Sequence, residues 1–270
     1  MDARNLDTRR PGAFTSLIFP AYNPGPILER TWRELMQFLQ RAPGEWEVLF
    51  VCDGCTDGTP ARLTEWARAE GGRIRIVSYA PNHGKGYAVR RGLEVACGEW
   101  RLFTDVDLAY RFDDVLRVVQ ALQAGASVAI ASRTHSESLL VLPARLQGYA
   151  YRRHLQSLAF SALVRLLLPL KQRDTQAGLK GLSAAAAQTI LPRLSCDGFG
   201  FDCELLTACQ HYGLTVAEVP VCVRYENRAS TTGFGAMRAM VKELWTIRRT
   251  WRQMAPPEPA HTTEPNRQAA

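Results

Sequence analysis

Short apolar runs alternate with longer amphipathic segments over the first half of the chain. The intervening segments place apolar residues three and four positions apart, which predicts helices packed on one face. Strands that alternate with helices are typical of a parallel sheet covered on its faces, so we expect an α/β fold. The predicted strands are 14–19, 46–52, 73–79 and 100–104, and the predicted helices are 27–39, 60–70 and 87–96, with Thr59 as the N-cap of the second.

The second half of the chain continues with a buried strand and several helices. We expect one large domain over residues 14–253, between a flexible arm (1–13) and a polar, proline-rich tail (254–270) that we expect to be disordered. The elements predicted here are a strand at 126–131, a long helix at 145–168, a polar turn at 173–180, helices at 182–191 and 200–212, a strand at 215–225 and an amphipathic helix at 237–251.

Polar side chains follow four consecutive predicted strands. Ligands bind at the carboxyl ends of the strands in sheets of this kind, so we expect these side chains to converge on one site. The chain has neither a dinucleotide-binding glycine fingerprint nor a phosphate-binding P-loop motif. The residues at the four strand exits are Tyr22 and Asn23, then Asp53, then Lys85 in a glycine-flanked loop, and finally Asp105 and Asp107.

Asp105 and Asp107 follow the central strand as a D-x-D motif. Two unpaired carboxylates at the end of a core strand repel each other and lose hydration. A divalent cation with oxygen ligands would remove both costs. Alternate residues of an extended segment point the same way, so both carboxylates could reach one ion. The alternative is a strand end with two solvated acids, one of which caps the next helix.

The composition points to an anionic partner. The net charge is +7, and only four of the 33 basic residues are lysines, so 29 are arginine, which suits bidentate phosphate binding. Nucleic acid, a nucleotide diphosphate and an anionic lipid surface would all fit. The basic residues are scattered and no helix-turn-helix is visible, which argues against nucleic acid.

The cysteines and apolar segments bear on the compartment. Seven cysteines and no apolar N-terminal signal lead us to expect a reducing cytosol. Cys52 and Cys55 form a C-x-x-C pair without a second pair at zinc-finger spacing, so we interpret them as small hydrophobic residues. No run of 18 apolar residues predicts a transmembrane helix.

Seven motifs occur in an order that resembles the family 2 glycosyltransferases, and within them the polyprenyl-phosphate sugar transferases. The resemblance covers roughly residues 14–250 and lies closest to the glucosyl branch, through RDTQAGLKG and FDCELL. The motifs are PAYN (20–23), CDGCTDGT (52–59), NHGKGYAVRRG (82–92), FTDVDLAYRFDDV (103–115), ASR (131–133), RDTQAGLKG (173–181) and FGFDCELL (199–206). Three positions depart from the family pattern: Pro24 replaces a glutamate, Cys52 and Cys55 replace an aspartate and a serine, and Ala109 replaces the glutamine of the mannosyl branch.

The resemblance implies a GT-A fold, a nucleotide diphosphate sugar donor and inversion at the anomeric carbon. Asp105 and Asp107 would hold Mg²⁺ or Mn²⁺. Lys85 could instead be a solvated turn lysine, Arg133 part of a structural ion pair, and Asp202 a helix cap. The resemblance assigns nucleotide binding to Pro20, Ala21, Tyr22, Asn23, Asp53, Lys85, Asp105, Val106 and Asp107, and catalytic or acceptor-side roles to Asp105, Asp107, Arg133, Asp174, Gln176 and Asp202.

For the reaction, the resemblance implies transfer of a hexose, with glucose from UDP-glucose expected, to a polyprenyl or dolichyl phosphate. Ala109 argues against the mannosyl branch. GDP-mannose or UDP-GlcNAc as donor, a soluble or protein acceptor, and an inactive sugar-nucleotide-binding module are the alternatives.

A lipid acceptor implies a membrane surface. The basic amphipathic segments 145–168 and 237–252 could lie on an anionic bilayer, which predicts peripheral attachment to the cytoplasmic face of a membrane. Ordinary core packing or a homodimer face would explain the same apolar stripes.

Overall fold

The computed structural model describes residues 14–141, 160–224 and 234–254, without the side chains of residues 224 and 234–238. Short 3₁₀ helices follow α2 (Arg68–Glu70) and α6 (Leu191–Arg193). In chain order the elements are β1 (Phe14–Ala21), α1 (Ile27–Leu39), β2 (Glu45–Asp53), α2 (Thr59–Ala67), β3 (Ile74–Tyr79), α3 (Lys85–Val95), β4 (Trp100–Phe103), α4 (Phe112–Gln123), β5 (Val128–Ser132), β6 (Leu139–Val141), α5 (160–167), β7 (Lys180–Ser183), α6 (Ala184–Ile190), α7 (Phe201–His211), β8 (Val216–Pro220), β9 (Cys222–Arg224) and α8 (Phe234–Gln253).

Seven strands form one sheet in the order β3-β2-β1-β4-β7-β5-β8. All of them run parallel except β7, which confirms the expected α/β fold with a mostly parallel sheet. A second small sheet pairs β6 with β9. The carboxyl ends of β1, β2, β3 and β4 lie side by side at one end of the sheet, which we call the open edge. The four polar segments that follow these strands all lie there.

Alternate residues of each strand enter two separate apolar clusters on opposite faces of the sheet. Ile18, Leu49 and Phe103 pack with residues of α3, α5, α6, α7 and α8. Their neighbours Leu17, Phe50 and Leu102 pack with residues of α1, α2 and α4. The period of two along a strand explains this division, since successive side chains point to opposite faces. The sheet is therefore buried on both faces and open at its edge.

β7 corrects the sequence prediction, which assigned Lys180 to a polar turn and residues 182–191 to a helix. Lys180–Ser183 instead pairs antiparallel with both β4 and β5, in the middle of the sheet. Lys180 is fully buried, and its ammonium donates to Asp202 Oδ1 at 2.5 Å and to the Ala177 carbonyl at 2.6 Å. A lysine that is buried with its partner does not follow the apolar pattern by which strands are predicted.

Several boundaries differ from the sequence prediction by a few residues. Gly58, with φ +77°, is the N-cap of α2 in place of Thr59. Lys85 is the first residue of α3 and not part of a loop. The predicted strand 215–225 divides at residue 221 into β8 and β9, and β6 had no counterpart in the sequence prediction.

α8 packs its apolar stripe onto the core. Met240, Leu244, Ile247 and Trp251 are buried, whereas Trp245 is 58% exposed. The predicted helix is confirmed, and its two tryptophans lie on different faces, since Trp251 is buried and Trp245 is exposed. Within the described ranges, no helix combines the length and the apolar character needed to span a bilayer.

Parts of the sequence prediction fall outside the described residues. Of the long helix predicted at 145–168, only residues 160–168 are described, and the helix there covers 160–167. The arm at 1–13 and residues 255–270 of the tail are not described, so the predicted division of the chain stays a prediction.

The orientation of α8 predicts a contrast between two adjacent substitutions. Leu244→Ala should lower the free energy of unfolding by about 2–5 kcal/mol, because it opens a cavity in a closed cluster. Trp245→Ala should change it by less than about 1 kcal/mol, because most of the indole is in solvent. Urea unfolding followed by circular dichroism measures both. Equal losses would contradict the packing of α8.

Candidate active site

The loops after β1 and β2 are joined by side-chain hydrogen bonds. Asn23 has a positive φ of +45°. Its side-chain oxygen accepts from the backbone N–H of Thr56 at 2.8 Å, and its side-chain nitrogen donates to the Thr56 hydroxyl at 3.2 Å. The Asp57 carboxylate accepts from the backbone N–H of Gly25 at 3.1 Å. Tyr22 lies beside this junction and is 57% exposed. The loops therefore present one aromatic ring on a rigid support at the open edge.

Three other residues that the resemblance assigns to nucleotide binding are Pro20, Ala21 and Val106. Ala21 is buried, and its carbonyl accepts from the Cys55 thiol, while Pro20 is half-buried. Val106 contributes its carbonyl to the Thr31 hydroxyl of α1 at 2.6 Å. These residues shape the loop through their backbone.

Asp53, at the end of β2, is buried and organises the loop that leads into α3. Its carboxylate accepts from the Asn82 side chain (2.8 Å) and from the backbone N–H groups of His83 (2.8 Å) and Gly84 (2.9 Å). Asp53 is 3% exposed, so its carboxylate offers almost no surface for a direct contact with a nucleotide. The structure therefore gives Asp53 a role that the sequence did not predict, which is to hold the start of α3 at the edge of the sheet.

The D-x-D segment is a turn and not an extended continuation of β4. β4 ends at Phe103, and the backbone N–H of Leu108, at φ +53°, donates to the Asp105 carbonyl at 3.2 Å. The Asp107 carboxylate accepts from the backbone N–H of Ala109 at 3.1 Å. The alternation argument was therefore wrong in its geometry, although both carboxylates do lie on one short turn at the open edge.

Lys85 lies against the first of these carboxylates. Its ammonium is 2.6 Å from Asp105 Oδ1, and both side chains are partly exposed. Burial alone would lower the pKa of Lys85, but the negative charges of Asp105, Asp202 and Asp107 outweigh it and raise the pKa above its usual value. Lys85 therefore stays protonated and neutralises part of the acidic turn.

The segment 173–180 reaches the other side of the same carboxylate. A Cβ added to Gly178 would lie 2.0 Å from Asp105 Oδ2, so only glycine allows this approach. Two residues further on, Lys180 is anchored to Asp202 at the start of α7. Asp105 is thus enclosed between Lys85 on one side and the backbone of the 173–180 segment on the other.

Arg133 and Asp174 form the ion pair that was the alternative to phosphate binding. The guanidinium bonds both carboxylate oxygens, at 2.7 and 2.8 Å, and the Arg133 backbone N–H adds a third bond at 2.9 Å. Burial raises the pKa of Asp174, but the hydrogen bonds and charge of Arg133 outweigh this and lower it below its ordinary value. The fork that would hold a phosphate is engaged here by a protein carboxylate.

The remaining acceptor-side residue, Gln176, donates from its amide to the Cys203 sulfur at 3.1 Å. Asp202 does not cap its own helix, since its charge is directed to Lys180. Together these contacts connect the 173–180 segment to α7. Each of the four predicted acceptor-side residues therefore takes part in joining β5, the segment 173–180 and α7 around Asp105.

Sequence reasoning missed four residues of this region. Tyr110 is buried next to Arg133, Asp174 and Asp105, and burial raises the pKa of its phenol above its ordinary value although Arg133 opposes the shift. Gly178 and Lys180 were noted only as parts of a motif. Glu243 of α8 accepts from the backbone N–H of Gly200 at 2.7 Å and so holds the start of α7. For Gly178 and Lys180, the available signal in the sequence was their place in the motif RDTQAGLKG.

A cavity of about 470 Å³ lies between α8 and the loop before α7. None of its lining residues belongs to the predicted site, and it does not contain the D-x-D turn. Asp197 in its wall bonds Arg90 of α3, and the Asp197 carbonyl accepts from the backbone N–H of Tyr87, so this loop also supports the start of α3.

The acidic turn has the donor chemistry of a magnesium or manganese site. Among the described residues, no group of three or more histidine, cysteine or acidic side chains could enclose a metal ion. Two carboxylates at an open edge suit a cation that takes its other ligands from substrate phosphates and water, as Mg²⁺ commonly does. Asp105 and Asp107 therefore fit such an ion as a partial set of ligands.

This sheet, with an acidic turn at its open edge and a glycine-mediated contact to a second polar segment, defines a GT-A-type fold of the class found in glycosyltransferases. The chain belongs to the family described as glycosyl transferase family 2, whose profile matches residues 16–189. The resemblance inferred from the motifs is thereby confirmed.

Curated relatives support this placement. A glycosyltransferase named AglD from Haloferax volcanii is 31% identical over 255 residues, which are 91% of this chain and 39% of the relative. A dolichyl-phosphate beta-glucosyltransferase of Drosophila melanogaster is 30% identical, over 88% of this chain and 75% of that protein. The human protein of that name is 28% identical, over 86% and 74%. The chain thus spans well under half of the archaeal relative and about three quarters of the animal ones.

Solved structures support the fold. Glucosyl-3-phosphoglycerate synthase from Mycobacterium tuberculosis, in complex with UDP, superposes with a TM-score of 0.61 at 21% identity, over 88% of this chain and 81% of that one. The same enzyme with Mn²⁺, UDP and glucosyl-3-phosphoglycerate gives a TM-score of 0.61 at 21% identity, over 87% and 80%. At this identity the similarity establishes the fold alone.

The close approach of Gly178 to Asp105 predicts that the two positions are energetically coupled. Gly178→Ala should cost about 1–3 kcal/mol of unfolding free energy, because the new methyl group overlaps the Asp105 carboxylate. In an Asp105→Ala background the same change should cost less than about 1 kcal/mol, because the overlapping atoms are gone. Chemical unfolding of the four proteins gives the coupling. The same loss in both backgrounds would mean that the two residues do not touch.

Proposed function

We propose that this protein is a metal-dependent, inverting glucosyltransferase that transfers glucose from UDP-glucose to a polyprenyl or dolichyl phosphate at a membrane surface. The observation that carries the proposal is the enclosure of Asp105, with the D-x-D turn and Lys85 on the donor side and the segment 173–180 on the acceptor side. The names of the relatives from fly and human support the choice of sugar and acceptor.

On the donor side, the exposed ring of Tyr22 offers a face on which a base can stack, held by the Asn23 junction between the β1 and β2 loops. Lys85 at the first turn of α3 supplies positive charge next to the acidic turn, where a diphosphate would lie. Pro20, Ala21, Asp53 and Val106 act through the backbone and loop contacts that keep this edge in shape. A divalent cation on Asp105 and Asp107 would neutralise the charge that develops on the departing diphosphate.

On the acceptor side, the main task of the residues is to position the nucleophile, which is the phosphate of the acceptor, and not to deprotonate it. A phosphate monoester is already ionised near neutral pH, so it needs orientation and not a strong base. Asp174 fits this expectation, because its ion pair with Arg133 lowers its pKa and makes it a weak base. We assign to Arg133, Asp174, Gln176 and Asp202 the task of holding the acceptor segment next to the donor.

Two exposed apolar side chains support attachment to a membrane. Leu166 of α5 is 76% exposed and Trp245 of α8 is 58% exposed. The two helices are connected, since Arg248 donates to the carbonyls of Leu166 and Leu167 at 3.2 and 2.6 Å. Lys242, Arg249 and Arg252 are exposed on the same helix as Trp245. Apolar tips flanked by basic residues suit the surface of an anionic bilayer, and we propose the cytoplasmic face.

The reaction predicts a defined substrate pair. UDP-glucose with a polyprenyl phosphate and Mg²⁺ or Mn²⁺ should yield a glucosylated lipid phosphate, and GDP-mannose should yield at least about tenfold less product. Mass spectrometry of reactions with UDP-glucose, UDP-GlcNAc and GDP-mannose measures this. Preference for GDP-mannose would overturn the donor, and equal turnover with a soluble phosphorylated acceptor in the absence of lipid would overturn the acceptor.

Metal dependence gives a second test. Asp107→Asn keeps the hydrogen bond to the Ala109 backbone but removes the charge, so turnover should fall by about 10² or more while the melting temperature changes little. EDTA should abolish turnover of the wild-type protein, and Mn²⁺ should restore it. Full activity in EDTA would remove the metal from the proposal.

Membrane attachment can be tested by flotation with liposomes. Wild-type protein should float with anionic vesicles at low salt, and less at high salt, since each basic residue near the surface adds about 1 kcal/mol. Replacing Lys242, Arg249 and Arg252 by glutamate should abolish flotation. Trp245→Ala with Leu166→Ala should weaken the part of the binding that resists salt.

A matched control changes the same charge elsewhere. Arg33, Arg41 and Arg68 are exposed on or next to α1 and α2, which pack on the opposite face of the sheet. Their replacement by glutamate should leave flotation nearly unchanged. If both triple variants lose flotation equally, net charge and not this surface would explain the binding.

A further inference from the structure

We propose that, in the ligand-free protein, the Lys85 ammonium occupies the place of a cation on Asp105, so that metal binds weakly alone and strongly only together with a nucleotide diphosphate. The inference rests on the proposed metal role of the D-x-D turn. It adds a constraint that this role does not contain, namely that the free site is already neutralised by a side chain of its own.

Lys85 is held at this position by the backbone around it. The Gly84 N–H before it donates to Asp53, and the Tyr87 N–H after it donates to the Asp197 carbonyl. Gly86 fits so tightly that an added Cβ would lie 2.5 Å from the Cys196 carbonyl oxygen. The start of α3 is therefore anchored to two loops, and only the flexible side chain of Lys85 can move away from Asp105.

Asp105 is confined on two sides. One carboxylate oxygen lies 2.6 Å from the Lys85 ammonium, and the other faces Gly178 without room for a methyl group. The side chain is 35% exposed, so the carboxylate can be reached from solvent on its remaining side. A metal ion that approaches Asp105 therefore meets a positive charge already in contact with its ligand.

The repulsion between the two cations is what a diphosphate would remove. At separations of a few ångströms, like charges near a protein surface oppose each other strongly. A diphosphate brings negative oxygens that can accept both the ammonium and the metal. Metal and nucleotide should therefore raise each other's affinity, and by linkage the effect must be the same in both directions.

The experiment measures Mn²⁺ binding directly, by electron paramagnetic resonance of the free ion, with and without UDP. The proteins are wild type, Lys85→Met and Lys85→Gln, which remove the charge, and Lys85→Arg, which keeps it. Without UDP, both neutral variants should bind Mn²⁺ about tenfold more tightly than wild type, and Lys85→Arg should resemble wild type. With UDP, the gain in Mn²⁺ affinity should be large for wild type and at least about tenfold smaller for the neutral variants.

Two further measurements place the bound ion and exclude unfolding. Asp107→Asn added to Lys85→Met should abolish the gain in Mn²⁺ affinity, which assigns the ion to the acidic turn. Mn²⁺ alone should raise the melting temperature of Lys85→Met more than that of wild type, because binding to the folded state stabilises it.

The outcomes separate this inference from the proposed function. If wild type binds Mn²⁺ with UDP but the neutral variants bind Mn²⁺ alone no more tightly than wild type does, the Lys85 inference is wrong and the metal site stands. If wild type binds no Mn²⁺ even with UDP, the metal assignment fails and the inference fails with it. If Lys85→Arg also gains affinity, charge is not the cause and the inference is overturned.

Discussion

Three carboxylates and three basic side chains are paired one to one around the end of β4. Asp105 pairs with Lys85, Asp174 with Arg133 and Asp202 with Lys180, and the six residues come from five separate parts of the chain. A buried charge without its partner costs several kcal/mol, so each pair ties together the segments that supply it. The edge of the sheet can carry these three acids next to an apolar core because each of them has a basic partner.

The antiparallel strand β7 makes this arrangement possible. The chain leaves the edge after β5, and β7 then enters the middle of the sheet between β4 and β5 in the opposite direction. The polar segment before β7 therefore begins its approach at the carboxyl edge, next to the end of β4. A parallel strand in the same position would start at the far edge, and Gly178 could not lie against Asp105. The direction of one four-residue strand thus brings together the residues that we propose for the donor side and for the acceptor side.

The sequence predicts the parts of this structure that depend on local patterning. α1 was predicted at its observed bounds, and the six parallel strands of the sheet were found, because apolar periodicity indicates which face is buried. β7 escaped prediction because its lysine satisfies its charge with a residue 22 positions away. The sequence also could not predict whether Arg133 binds a phosphate or pairs with Asp174, since the ion pair joins residues 41 positions apart. The motifs identified which residues gather at the edge, but not which of them neutralise one another.

The hydrogen bond from the Gly200 backbone N–H to the Glu243 carboxylate limits how far the chain can be truncated at its C-terminal side. The stretch that matches the family profile ends at residue 189, before α7 and α8 begin. Yet Asp202, which holds Lys180, stands at the start of α7, and the start of α7 is held by a carboxylate from α8. A truncation after the family-defining stretch would leave Lys180 as an unpaired charge in the middle of the sheet. We therefore expect that a fragment must extend at least through residue 243, more than fifty residues beyond the stretch that matches the family profile, to keep these contacts.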